Sequence, residues 1–441
     1  MTSALIPTAH ARVKPISLLA IGGPSVVASG RYAVQAPPQS QWQINLPSER
    51  IAPVVSVGPY WVTALKEDAT HKAPRIVAYR WTTGEEVWAM PLPEGTETVG
   101  LIPSSIYGKP SNPVELTSAP LIATLPMGIV FKVNCETGRP EWVKALPVGA
   151  HELHLTPVLD LSGLTVVSTA STLFHLNPTT GELLWQTPIK PPPSEGASQQ
   201  VSEATPEPAE LTPRDLKPLA LSPLATNGQR QLLLGTEDGF LTSVDALTGK
   251  ILWHSQTAGS VRSLQWIVDR WVVTSNTGLL TAVNPDSGSS QWALVSLDGK
   301  PLVSSTNPTA EAQWVTASLK GNVLMANAKT GIRSGSDTLP NGLTGGWTAL
   351  SDGSLLGTLT DGKLIAYDPP KPQNISGYRA VKRNKHTQTK TPSASNIRWE
   401  LPLNHRVIEP PVMQPLSENL WLLTASTDGT VLGFNWAATA P

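Results

Sequence analysis

The side chains best equipped for chemistry are few and scattered. Cys135 is the single cysteine of the chain, so an internal disulfide is excluded. It closes the apolar run Ile129 to Asn134 with no basic neighbour in sequence to stabilise a thiolate, and it reads as a packed residue. His151-Glu152-Leu153-His154 brings three metal-ligating side chains together, but the zinc-binding helix motif needs its histidines four residues apart. Here the segment enters a strand, where positions 151 and 154 face opposite sides. Asp160, Asp269, Asp352 and Glu409 are carboxylates on different innermost strands that could line a shared channel. They follow no calcium-ligand pattern and are equally at home at strand ends and turns. No nucleophilic triad, phosphate-binding glycine loop or paired-carboxylate motif stands out.

One stretch carries strong charge. Between residues 371 and 398 lie Lys371, Arg379, Lys382, Arg383, Lys385, Lys390 and Arg398, with His386 and no acid. Seven cations with one Tyr378 suit a phosphate- or carboxylate-rich surface such as anionic lipid, lipopolysaccharide or an acidic protein, and nucleic acid less well. A purely solvated loop is the competing reading.

These residues must be held by something regular, and the chain is periodic. Thr179-Thr180-Gly181-Glu182-Leu183-Leu184-Trp185 recurs as Thr83-Gly84-Glu85-Glu86-Val87-Trp88, Thr137-Gly138-Arg139-Pro140-Glu141-Trp142, Thr248-Gly249-Lys250-Ile251-Leu252-Trp253 and Ser287-Gly288-Ser289-Ser290-Gln291-Trp292. A degenerate copy stands at Thr330-Gly331-Ile332-Arg333. Each copy is a strand, a turn in which glycine supplies a positive φ, and a second strand whose Trp fills the gap to a neighbouring sheet. A period near ~40 residues with two further strands upstream is a propeller blade.

Eight units can be laid out. Their first strands begin near Ala52, Val99, Leu155, Leu216, Val261, Leu302, Gly345 and Val407, and the outer strands carry Trp88, Trp142, Trp185, Trp253, Trp292 and Trp399, with no aromatic near Arg333. The sixth outer strand is therefore expected to be short or poorly packed, and its edge is the candidate for pairing with a partner's strand. The eighth unit has three strands, and Gln41 to Pro47, with Trp42 at the repeat position, supplies the fourth. The expectation is an all-β, eight-bladed propeller of four-stranded antiparallel blades, closed by the N-terminal strand so that no sheet edge stays open in the ring. One domain then spans 41–441, with an acidic, Pro-rich insertion at 190–215 and the basic one at 371–398. The first lies between blades and the second within one, so they leave opposite faces and make the ring electrically polar.

The Gly84, Gly138, Gly181, Gly249, Gly288 and Gly331 turns, five of them followed by Trp, resemble the PQQ-like repeat family of β-propellers over roughly residues 41 to 436, and the chain's size is closest to the non-catalytic BamB-like members. The resemblance implies a protein-interaction scaffold of the cell envelope, without a cofactor or metal, engaged in envelope or outer-membrane protein assembly. Quinone-dependent alcohol dehydrogenases share the plan, but as a family they carry adjacent cysteines, which a chain with one cysteine cannot have. A small-molecule (quinone or sugar) binding protein or oxidoreductase using the central channel, and a structural subunit of a larger surface assembly, are the alternatives.

Composition agrees with β structure: 34 Gly and 42 Pro punctuate the chain. With 32 basic against 33 acidic residues, the molecule as a whole is not drawn to nucleic acid. No stretch approaches the ~20 apolar residues of a spanning helix. In residues 1–40, His10, Arg12 and Lys14 precede an uncharged run, and Ala33-Val34-Gln35-Ala36 has the small residues of a cleavage site. Gly22-Gly23-Pro24 interrupts that run, and Ser25 to Val34 reads equally as a strand packed on the propeller. A periplasmic or secreted location is expected.

Overall fold

The computed structural model describes residues 34–103, 121–147, 158–160, 163–167, 172–189, 221–226, 230–236, 239–267, 269–295, 302–303, 313–318, 320–350, 352–370, 396–407, 409–416, 419–426 and 428–437. Among them are strands and no α-helix; the chain is an all-β propeller. The strands join into four-stranded antiparallel sheets, each built from consecutive strands: 55–91, 100–145, 158–188, 221–256, 261–295, 302–338 and 343–402, and a last one in which 412–437 is joined by 39–45. The starts read from the sequence fall within a few residues of these; the fourth and eighth move furthest, to Leu221 and Val412.

Burial explains the layering. The second and third strands of a sheet, such as Tyr60–Leu65 and Arg75–Arg80, are covered on both faces and read as near-continuous apolar runs. The outer strands alternate exposed and half-buried residues, as in Leu183–Pro188 and Ser290–Val295. First strands of neighbouring sheets approach one another on the inside, 55–57 lying against both 100–103 and 412–416.

Apolar clusters sit between successive sheets. Ala64, Ala78, Leu121 and Phe131 join the first sheet to the second, and Leu233, Leu241, Trp271 and Val273 join the fourth to the fifth. Trp61 and Val77 meet Trp421 and Leu423 where the last sheet meets the first. There the strand Gln39–Asn45 runs antiparallel to Thr430–Ala437, pairing Gln43 with Leu432 and Asn45 with Thr430.

The expectation for the sixth outer strand is overturned. Arg333–Thr338 is six residues long, as its counterparts are, and it pairs with Asn322–Asn327 from Ala326↔Arg333 to Asn322↔Thr338. The missing Trp is compensated from across the ladder. Gly335 takes the Trp position opposite Met325, and a Cβ placed on it would lie 3.0 Å from the Met325 Cε. Unbranched Met fills an irregular gap that its small partner leaves.

Candidate functional site

The regular feature of the rim is a contact between neighbouring sheets. In each Thr/Ser-Gly turn the glycine has φ between 67° and 72°, and its amide bonds to the carbonyl four residues back, as Gly138 does to Asn134 and Gly288 to Asn284. In five of the six turns that residue is Asn or Asp. The side-chain oxygens of Asn134, Asn177, Asp245, Asn284 and Asn327 accept two turn amides each. The first turn, at Arg80, lacks this brace.

The glycine faces the Trp of the preceding sheet. A Cβ at Gly84 would meet Trp42, at Gly138 Trp88, at Gly181 Trp142, at Gly249 Trp185, at Gly288 Trp253 and at Gly331 Trp292, all at 2.5 to 2.9 Å. In the first five the same Trp donates its indole N–H into that turn, Trp42 to the Trp81 carbonyl, Trp88 to Cys135, Trp142 to Pro178, Trp185 to Ala246 and Trp253 to Pro285; the Trp292 N–H makes no such bond. Each acceptor stands three residues before the glycine. Covering about half of an indole removes on the order of 100 Å² from water, worth roughly 2–3 kcal/mol, against about 1 kcal/mol for the hydrogen bond. Burial therefore supplies most of the clamp and the bond sets its direction.

Every outer strand also carries an extra residue at one place. The register shifts just before the Trp in 39–45, 86–91, 140–145, 183–188, 251–256, 290–295 and 397–402, and before Gly335 in 333–338. The displaced residue is apolar and well exposed in two neighbours: Leu184 and Leu252 are each close to half exposed. Leu183 and Leu247 are exposed beside them, around the contact of Trp185 with Gly249.

Of the basic candidates, Lys371, Arg379, Lys382, Arg383, Lys385 and Lys390 lie outside the described residues, as does the acidic insertion from 190 onward. Arg398 is half-buried in the outer strand of the seventh sheet and engaged within the chain. It pairs with Asp368 and, at 3.0 Å, with Asp352; its bond to Asp368 strengthens its positive charge against the opposing effect of burial. Burial opposes ionisation of Asp352, but hydrogen bonds from Ser354 and the Arg398 guanidinium outweigh it and hold that carboxyl below its ordinary range.

The other channel candidates are likewise spoken for. Glu409 forms a buried ion pair at 2.9 Å with Arg50, which also bonds to the Ser426 carbonyl. Asp269 pairs with Arg270 at 2.7 Å on an exposed turn, and the side chain of Asp160, like His151 to His154, is outside the described set. Among the described residues no group of three His, Cys, Asp or Glu is arranged to hold a metal. Cys135 is buried, and burial pushes its thiol up to about 12.

Two arrangements escaped the sequence reading. Among the described residues the seventh sheet has no Thr/Ser-Gly turn; Asp337 of the sixth sheet accepts instead from the Tyr367 hydroxyl (3.0 Å) and the Asn396 amide (2.7 Å). The Asp368 amide bonds to the Asn396 carbonyl, so the two ends of the basic insertion are tied together at a rigid base. The Asn/Asp four residues before five of the six glycines was a readable signal, because it repeats with the turn; nothing local marks Asp337.

An array of four-stranded sheets with a Trp-on-Gly clamp between neighbours defines a repeat propeller. A family described as outer membrane protein assembly factor BamB matches residues 32–214 and 200–346, and the chain belongs to that family. The BamB of Shewanella oneidensis is 35% identical over 68 residues, 15% of this chain and 17% of that protein, so the aligned stretch spans a small part of its relative. Among solved structures, BamB from Moraxella catarrhalis is similar at TM-score 0.56 and 14% identity, covering 90% of this chain and 99% of that one. The quinohemoprotein alcohol dehydrogenase of Comamonas testosteroni is similar at TM-score 0.58 and 12% identity, covering 91% and 77%. At these identities the structures share the fold alone. No helix among the described residues is long and apolar enough to cross a membrane.

Proposed function

We propose that this protein is a non-enzymatic interaction scaffold of the cell envelope that serves the assembly of outer-membrane proteins. The observation that carries the reading is the family match across residues 32–346. The sheets and the pairing of the chain's two ends support one closed ring of eight blades in which the N-terminal strand completes the last. A rigid ring with bulged rims meets a partner through side chains and loops rather than through a straight added strand. Two surfaces serve that purpose: the exposed leucines 183, 184, 247 and 252, and the basic insertion, which engages an anionic surface of protein, lipid or lipopolysaccharide.

The test is capture from envelope and soluble fractions with three baits: the intact chain, a chain with residues 373–394 replaced by a short Gly/Ser linker, and the double variant Leu184→Lys, Leu252→Lys. Ending the replacement at 394 keeps Asn396 on Asp337. A membrane-assembly partner retained by the intact bait and lost with either variant is the expected result. Equal capture by all three removes both surfaces from consideration, and a bound quinone or sugar in the purified protein moves the function to the central channel.

A further inference from the structure

The last sheet poses a problem that the other clamps do not. Its third strand, Thr430–Ala437, and its outer strand, Gln39–Asn45, come from opposite ends of the chain, so no turn links them to receive the Trp of the preceding sheet. Trp399 nevertheless has its acceptor: its indole N–H donates to the Val34 carbonyl at 3.0 Å. Arg398 reaches the same oxygen at 3.5 Å, and Trp436 donates to the Ala36 carbonyl at 2.8 Å. Val34 itself is 2% exposed, packed with Leu350, Trp399 and Val407 between the last two sheets.

The position matches the repeat. In the five complete clamps the accepting carbonyl lies five residues before the start of the outer strand: Trp81 before Glu86, Cys135 before Pro140, Pro178 before Leu183, Ala246 before Ile251 and Pro285 before Ser290. Val34 lies five residues before Gln39. It is eight residues before Trp42 where the others are seven before their Trp, and the extra residue falls in an outer strand that pairs one position further before its bulge. The segment from Val34 thus stands where the second half of a clamp turn stands in the other sheets.

We propose that Val34-Gln35-Ala36 is an integral latch of the folded ring and that the mature protein retains it, so that any proteolytic removal of a leader cuts ahead of Val34. The small residues Ala33 to Ala36 resemble a cleavage site in the sequence, yet a cut after Ala36 would take away both carbonyls and the buried Val34. It would leave two indole N–H groups and an apolar gap without their partners.

The full-length gene, expressed in a Gram-negative host, gives the first test: intact mass and N-terminal sequencing of the folded, recovered protein. A first residue at or before 34 is expected; a folded product that begins at Pro37 or later overturns the proposal. The second test uses the unprocessed full chain. Val34→Asp places a charge in the apolar gap, whereas Gln35→Asp changes an exposed neighbour. The latch requires the first to lower the thermal midpoint by a few degrees and to make Trp399 and Trp436 more accessible to acrylamide quenching, with the second near wild type. Val34→Ala gives the same order of effects at smaller amplitude should the aspartate prevent folding. Equal behaviour of the position-34 and position-35 variants overturns it.

Discussion

The junction between the fourth and fifth sheets and that between the sixth and seventh solve one problem by opposite means. In the first, the Trp253 ring lies on Gly288 and its N–H enters the turn at Pro285. In the second, both halves are gone together: Gly335 replaces the Trp, and the Thr-Gly turn it would cover gives way to the basic insertion. A carboxylate, Asp337, gathers Tyr367 and Asn396 in their place. The clamp is therefore a single device with parts on two repeats, so losing one half removes the reason for the other. The substitute is polar and braces the base of a long loop, which an apolar ring on a four-residue turn cannot do.

Paired glycine substitutions separate the two most sharply. Gly288→Ala forces a Cβ to 2.5 Å from the Trp253 ring at φ 70°; left-handed strain of about 1–2 kcal/mol and overpacking of about 1–3 kcal/mol sum to a loss of roughly 2–5 kcal/mol. Gly335→Ala has no such φ and meets only the flexible end of Met325, so its cost stays below about 1 kcal/mol. Urea unfolding of both variants measures the difference, and equal midpoints would sink the two-part clamp. A smaller effect, about 1–3 kcal/mol, follows from Asp337→Ala, which strands the buried Tyr367 hydroxyl. Its local signature is faster proteolysis of the 371–395 insertion with the other loops unchanged.

Acid distinguishes the junctions most gently. The Asp352 carboxyl titrates below its ordinary range in the folded chain, so its contribution is present above the unfolded value near ~3.9 and is lost as pH falls through the lower folded value. Arg398→Met should flatten the fall in thermal midpoint as the pH drops below the ordinary carboxylate range. Trp253→Phe, in a clamp with no titratable group, should leave that slope as it is.

The fold was legible because Trp and Thr-Gly recur with the strands they serve, and the missing fourth strand of the last unit could be matched to Trp42. What a repeat does not declare is which unit a side chain serves. Trp88 reads as a residue of its own blade, yet its ring and N–H belong to the turn of the next. Distance in sequence hid the rest: Arg50 finds Glu409 and Val34 finds Trp399 across nearly the whole chain, and no local pattern announces either. The expectation of a weak sixth strand rested on the absent Trp alone, and Met325, one strand away, had already answered it. The functional candidates were the least legible. Charge picked out Arg398 correctly as a strong cation, but whether a cation is free or held by carboxylates depends on neighbours such as Asp352 and Asp368, which only folding brings near.

The displaced residue on every outer strand has a consequence for how many copies of this molecule can share a compartment. A ring of sheets turns a strand edge outward at each position around its circumference, and straight edges of that kind zip together between molecules into fibres. Because the kink falls at the same height on every edge described, each edge offers only short straight runs for pairing with another molecule. Side-by-side association through these edges is thereby disfavoured, and that protection is written into the repeat itself.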